Sequence, residues 1–283
     1  MRWTPGKGSP DIEDLRGSSG GGRFRIPGRM GLGGLLVLLV LSVVFKQDFF
    51  SLVGMGGDPG PVAAGPVEAS PEEEKLKDFI GSVLDDVQTT WDQTLPEQAG
   101  TSYQHARLVL FRDAIESTCG FAEAATGPFY CPGDHRVYID LGFYQDLAAR
   151  FGAPGDFAQA YVLAHEIGHH VQTLLGTETQ LRQLQNSRPA QANELSVRFE
   201  LQADCYAGIW GSSAAGRGKL ETGDVEEGLS AAAAVGDDRI QKMSTGRVSP
   251  EGFTHGSSAQ RSQWFRQGFT SGRLSACDTF AER

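Results

Sequence analysis

Cysteine is scarce, with four among 283 residues and no CxxC pair. That excludes a disulfide-built miniprotein, a zinc ribbon and a thioredoxin-type redox motif. Repeats at solenoid or propeller periods are also missing, so the chain is not a repeat array. Basic charge is in deficit: 25 Lys and Arg stand against 35 Asp and Glu, a formal net charge of -10. A general nucleic-acid binder needs a basic face, so nucleic acid is excluded as a partner. Glycine is plentiful, at 37 residues, but lacks the collagen period. What is present is an ordinary globular composition, 40% hydrophobic and 21% charged, with room for one or two domains.

The charge is uneven along the chain. Arg2, Lys7, Arg16, Arg23, Arg25 and Arg29 precede residue 31, against only Asp11, Glu13 and Asp14. With its Gly/Ser stretch at 17–22, segment 1–29 reads as a basic, disordered head. Residues 31–45 (GLGGLLVLLVLSVVF) carry no charge. The run is shorter than the roughly 20 residues a full span wants. Extended over 30–53, with Arg29 and Lys46 snorkelling, it reads as a single transmembrane helix, which makes the lipid bilayer a partner. The upstream arginines predict a cytoplasmic N-terminus, with everything after the anchor outside. A cleaved signal peptide is the alternative, but its basic region would be unusually long and no small-x-small site follows. Residues 54–70, rich in Gly, Pro and Ala, read as a tether, and 71–283 as the folded domain.

Order should begin at Ser70-Pro71-Glu72-Glu73, a capping box with proline at the first helical position. Leu76, Phe79, Ile80, Val83, Leu84, Val87 and Trp91 follow at helical spacing. RLVLF at 107–111 and RVYID at 136–140 predict strands, with a turn at Gly127-Pro128 between them. From Asp156 onward the pattern is helical. Asp156 with Gln159 predicts a second capping box, and Gly176 a stop. Further helices are expected over 192–211, 224–243 and 258–269. A small β-sheet followed by a helical bundle is an α+β order.

The helix after Asp156 contains His165-Glu166-Ile167-Gly168-His169. Histidines at i and i+4 share one helix face, where both imidazoles reach a single zinc ion. Glu166 then addresses the activated water as general base and passes its proton to a leaving amine. Such a motif arises by chance in roughly one chain in a hundred. The alternative is a charged face with ordinary hydrogen bonds. The flanks Tyr161, Val162, Leu163, Ala164, Ile167 and Val171 are apolar, and a buried helix does not keep two histidines and a glutamate without a partner. His170 points about 100° from His169 and reads as structural or as a support behind the ligands. His105 and His135, in the strand region, are not expected to be ligands.

A catalytic zinc needs a third protein ligand and an open position. Glu200 and Asp204 in FELQAD are again i and i+4, on a helix whose other residues are mostly apolar. Glu200 is the expected ligand, and Asp204 the acceptor that fixes a histidine tautomer. Glu194, in more polar surroundings, is the alternative ligand.

HEIGHH, FELQADCYAGIW, GDDRIQ and THGSSAQRSQWF together resemble the bacterial neutral zinc metallopeptidase family, from the basic head to the C-terminus. The resemblance implies a membrane-anchored zinc metalloendopeptidase of the zincin class, gluzincin-like. It carries one zinc per chain, a polypeptide substrate, and a place at the bacterial cell membrane with the catalytic domain outside. His165, Glu166, His169, Glu200 and Asp204 match the gluzincin pattern, although the gap before Glu200 is longer than in thermolysin-like members. The segment from Thr254 to Arg261 resembles the histidine-containing segment of membrane-bound gluzincins. That implies His255 as a transition-state donor and Arg261 as a brace for an acidic residue; Asp204 as that residue is an expectation which the resemblance does not supply. Tyr138 or Tyr161 could also assist the oxyanion, and nothing in the sequence selects either.

The cysteines fit an oxidising compartment. Of the three pairings, Cys119 with Cys131 and Cys205 with Cys277 are favoured over free thiols. The stretch leading through Cys131 into RVYID could offer a sheet edge to an extended substrate backbone. Two other functions compete with the peptidase. One is a non-enzymatic zinc-containing binding or assembly module at the membrane. The other is a zinc hydrolase of a non-protein amide such as a cell-wall bond. The intact Glu166 favours an enzyme, because a structural site needs no base.

Overall fold

The structure, a computed structural model, describes residues 1–4, 8–17, 69–124 and 127–281. Its first element corrects the expected disordered head. Ile12–Asp14 forms strand β1. It pairs in parallel with β2 (Arg107–Phe111), Ile12 opposite Leu108. The reason is a set of charge and packing contacts that composition does not reveal. The Arg16 guanidinium is buried among Asp14 at 2.6 Å, Glu73 at 3.1 Å and Glu74 at 2.6 Å. Trp3 packs edge-on against Phe79, and the Met1 side chain is buried in the core. The expected transmembrane helix over 30–53, and nearly all of the tether, lie outside the described residues. No helix among the described residues is long and apolar enough to cross a membrane.

Helix α1 (Pro71–Ala99) starts where the capping signal predicts, with Ser70 Oγ accepting the Glu73 N–H at 3.2 Å. After β2 come the hairpin β3 (Ala114–Ser117) and β4 (Gly120–Glu123), then β5 (Phe129–Cys131) and β6 (Arg136–Asp140). The main sheet runs β1-β2-β6-β5, parallel except that β5 is antiparallel to β6. The rest is helical: α2 (Phe143–Ala149), α3 (Asp156–Leu174), α4 (Thr177–Ser187), α5 (Ala192–Gly216), α6 (Asp224–Ala234), α7 (Asp237–Thr245) and α8 (Ser258–Ser271). The fold is therefore α+β, with eight α-helices among the described residues. The helix expected over 224–243 is two, because the chain turns extended at Gly236. The second capping box does not form. Gly155, at φ 125°, caps α3, and Asp156 instead accepts the Met1 ammonium at 2.6 Å.

Helices α3 and α5 run antiparallel: Phe157 stacks on Trp210 at one end, and Gln172 Nε2 donates to the Phe199 carbonyl at the other. Gly168 permits their close approach, since a Cβ there would sit 3.0 Å from the Ala203 carbonyl oxygen. The structure pairs Cys119 with Cys131 and Cys205 with Cys277. The first bond ties the hairpin to β5, and the second ties the C-terminal segment to α5.

His105 clips the head to α1. Its Nδ1 lies 2.8 Å from Asp11 and its Nε2 3.1 Å from Asp92. Burial disfavours its charge, but the two carboxylates outweigh that and raise its pKa. The clip is therefore fully present below the ordinary histidine value of about 6.5 and is lost as pH rises through the raised one. Amide protection at Ile12–Asp14 is expected to fall across that window. In His105→Gln the pH step should vanish, and an unchanged step would assign it to another group.

Candidate metal centre

The HExxH turn lies midway along α3, and the antiparallel α5 brings Glu200 to it. His165 Nε2 is 3.2 Å from Glu200 Oε2, and His169 Nε2 is 3.5 Å from Glu200 Oε1. One donor atom from each residue lies within 4.8 Å of the others. The opposite ring nitrogens are engaged elsewhere. His165 Nδ1 faces Asp204 Oδ1 at 2.9 Å, and His169 Nδ1 faces Gln172 Oε1 at 2.8 Å. Both acceptors require a proton on Nδ1, which leaves each Nε2 lone pair directed at the common point. The Phe199 ring stacks on His169, with centroids 5.1 Å apart.

Electrostatics describe the same point as a place for positive charge. Burial favours the neutral form of Glu200, yet His169 and His165 hold its carboxyl well below the usual range. Burial also opposes charge on His165, but Asp204 and Glu200 raise it to about 9. Asp204 and Glu200 thus recruit a proton to His165, whose Nε2 a divalent cation would use. The donor set of two imidazoles and a carboxylate, with oriented tautomers, fits zinc better than calcium or magnesium.

Asp204 is fully buried and saturated. Oδ1 accepts from the Tyr161 hydroxyl, from His165 Nδ1 and from Arg261 Nη2 at 2.9 Å; Oδ2 accepts from Arg261 Nε at 2.9 Å. Arg261 reaches it from α8, fixed in turn to the Val235 carbonyl at 3.1 Å. Burial would raise the Asp204 carboxyl, but Arg261 and His165 hold it down. Tyr161, one of two tyrosines the sequence left open, belongs to this network. Tyr138 instead donates to Asp134 at 2.8 Å. Glu194 is on the surface, paired with Arg198 at 2.7 Å.

These groups open onto a cleft of about 1320 Å³ whose lining includes His165, Glu166, His169, Glu200 and His255. His255 approaches from the segment before α8. Its Nδ1 is 3.2 Å from Asp237 Oδ1, whose other oxygen accepts backbone N–H groups from Thr254, His255 and Gly256 at 2.7, 2.6 and 3.0 Å. The Asp237 hydrogen bond outweighs burial and raises the His255 pKa. The Tyr144 hydroxyl is buried with no hydrogen-bond partner among the described residues; burial, and then the charge of Glu166, push its pKa far up.

Sequence reasoning missed Gln172 and Asp237. Gln172 carried a signal, since it lies three residues after His169 on the same helix face. Asp237 lies in GDDRIQ, one of the segments that carry the family resemblance, but its role escapes because its partners lie seventeen to nineteen residues away in a loop. His105 and His135 lie outside the cluster. A second acidic group, Asp156, Asp224 and Glu227, lies beside the Met1 ammonium.

The comparisons with known proteins agree with this chemistry. A family profile described as "Putative neutral zinc metallopeptidase" matches residues 1–280. The uncharacterized protein YpfJ of Escherichia coli (strain K12) is 48% identical over 290 residues, covering 100% of this chain and 99% of its own. The uncharacterized protein Rv2575 of Mycobacterium tuberculosis is 44% identical over 206 residues, 69% of this chain and 67% of its own. No solved structure matches the chain.

Proposed function

The chain belongs to the neutral zinc metallopeptidase family, and from that premise we propose that it is a zinc-dependent endopeptidase acting on extended polypeptide. The observation that carries the reading is the convergence of both Nε2 atoms and Glu200 on one point in the cleft that Glu166 lines. His165, His169 and Glu200 would hold the metal. When bound there, zinc supplies Lewis-acid chemistry, acidifying water and polarising a carbonyl. This chain's residues do the rest. Glu166 takes the proton of the attacking water and delivers it to the leaving amine nitrogen. His255, steadied by Asp237, donates a hydrogen bond to the developing oxyanion. Asp204, gripped by Arg261, keeps the His165 ring oriented. The gluzincin-like zincin arrangement belongs to the same reading. It is supported by one helix with two histidines and a base, and by a second with Glu200 and, one turn on, Asp204.

The cleft exceeds the roughly 300–1,000 Å³ of a typical small-molecule site, which supports a polymeric substrate. Strand β5, at the end of the sheet, has an edge unpaired among the described residues, along which an extended backbone would pair. The two disulfides support an oxidising compartment outside the cytoplasm. The apolar residues 31–45 support membrane attachment.

Zinc-reconstituted and chelated protein, each incubated with a reduced and alkylated polypeptide, test the proposal. Cleavage restored by zinc is expected. An intact polypeptide with a cut cell-wall fragment would move the enzyme to non-protein amides, and no cut in either would leave a zinc-containing binding module.

A further inference from the structure

Among the described residues, strand β5 has one neighbour in its sheet, β6. Alternation sends its side chains to opposite faces. Phe129 stacks flat on Tyr138 at 4.8 Å, and Cys131 joins the same small cluster behind the sheet. Tyr130 faces the other way, toward α3, where its hydroxyl lies 3.0 Å from His170 Nδ1. His170 Nε2 lies 2.6 Å from the Gln104 carbonyl oxygen. A carbonyl only accepts, so the His170 proton is on Nε2, and Nδ1 must receive the Tyr130 hydroxyl. The ring is fully buried, with Tyr103 and His135 packed edge-on at 5.5 Å. Both of its nitrogens are committed and it has no room to turn.

His170 directly follows His169. The 100° step between successive residues aims His169 at the metal point and His170 at the strand. We propose that His170 and Tyr130 are a positioning pair that sets the distance between the open edge of β5 and the metal-binding turn of α3. The inference rests on the peptidase reading only for its consequence. A backbone paired along β5 would have its scissile carbonyl registered against Glu166 through this hydrogen bond, beside which the Tyr130 hydroxyl also meets the Thr173 side chain of α3. A displacement of about 1 Å in such a register costs on the order of 100-fold in rate.

The test uses the zinc-loaded full chain as wild type, Tyr130→Phe, His170→Leu and His170→Gln. Glutamine can accept from Tyr130 and donate to Gln104, whereas leucine does neither. Amide exchange at Phe129–Cys131 should quicken at least tenfold in Tyr130→Phe and His170→Leu. It should return toward wild type in His170→Gln, with exchange along α3 and zinc content unchanged in all. kcat/KM for a peptide long enough to lie along β5 should fall about tenfold or more in the first two and recover in the third. Tyr130→Phe removes a single oxygen and keeps the test open if His170→Leu does not fold. Unchanged exchange at β5 overturns the proposal, whether or not any peptide is cut. Faster exchange with unchanged kcat/KM overturns the link to substrate register. If wild type cuts nothing while exchange responds as expected, the peptidase reading fails and the positioning pair stands.

Discussion

Glu166→Gln is expected to remove hydrolysis while leaving zinc in place. The side chain is not among the metal-point donors, which are His165, His169 and Glu200. Its carboxylate lines the cleft one helical step from His165. Glutamine keeps the size and loses the ability to take a proton. General-base catalysis by a positioned group is worth about 10²–10⁴-fold, so kcat should fall by that factor. KM should change little, because peptide contacts and metal donors are intact. Steady-state kinetics with zinc analysis on the same sample checks this. A variant that keeps more than a tenth of wild-type kcat would remove Glu166 from the chemistry.

Asp204→Ala is expected to damage stability and metal affinity together, through separate routes. The fully buried carboxylate receives both Arg261 hydrogen bonds, and its loss strands a buried guanidinium. Breaking a buried pair from one side costs about 3–5 kcal/mol. Loss of the same oxygen frees His165 Nδ1, and such outer-shell partners are worth about 10–100-fold in metal affinity. Asp204→Leu combined with Arg261→Met separates the two, since replacing both charges by apolar groups restores most of the stability. Zinc affinity should stay low in that double variant. Denaturant unfolding and zinc titration read the two effects independently. Recovery of zinc affinity along with stability would make Asp204 a packing residue with no part in orienting the metal site.

The metal point is legible from local spacing alone. His165 and His169 share one helix face and Glu200 and Asp204 another, and apolar flanks mark both helices as buried. Strands β2 and β6 are legible for a similar reason, because RLVLF and RVYID carry their own pattern. What escapes depends on distant partners. A three-residue β1 in a basic, glycine-containing segment has no periodicity. It is held by Arg16 against Glu73 and Glu74 and by Met1 in the core, contacts that only the folded chain creates. Gly236 sits inside an alanine-rich helical pattern, yet its backbone is extended, and Ser258 packs so close that a Cβ there would lie 2.3 Å from its nitrogen, leaving room for no side chain. Asp156 looks like a helix cap until the Met1 ammonium is found on it. The contact by which Asp237, inside the GDDRIQ segment, steadies His255 is visible only once α7 and the loop before α8 are folded together.

The most direct test of the central claim is zinc-edge X-ray absorption on the full chain, with metal content measured on the same sample. The account predicts one zinc per chain in a shell of nitrogen and oxygen at about 2.0–2.1 Å, including imidazole scattering and no sulfur, lost in His165→Ala. A folded chain that binds no zinc, or binds it through sulfur, would contradict it.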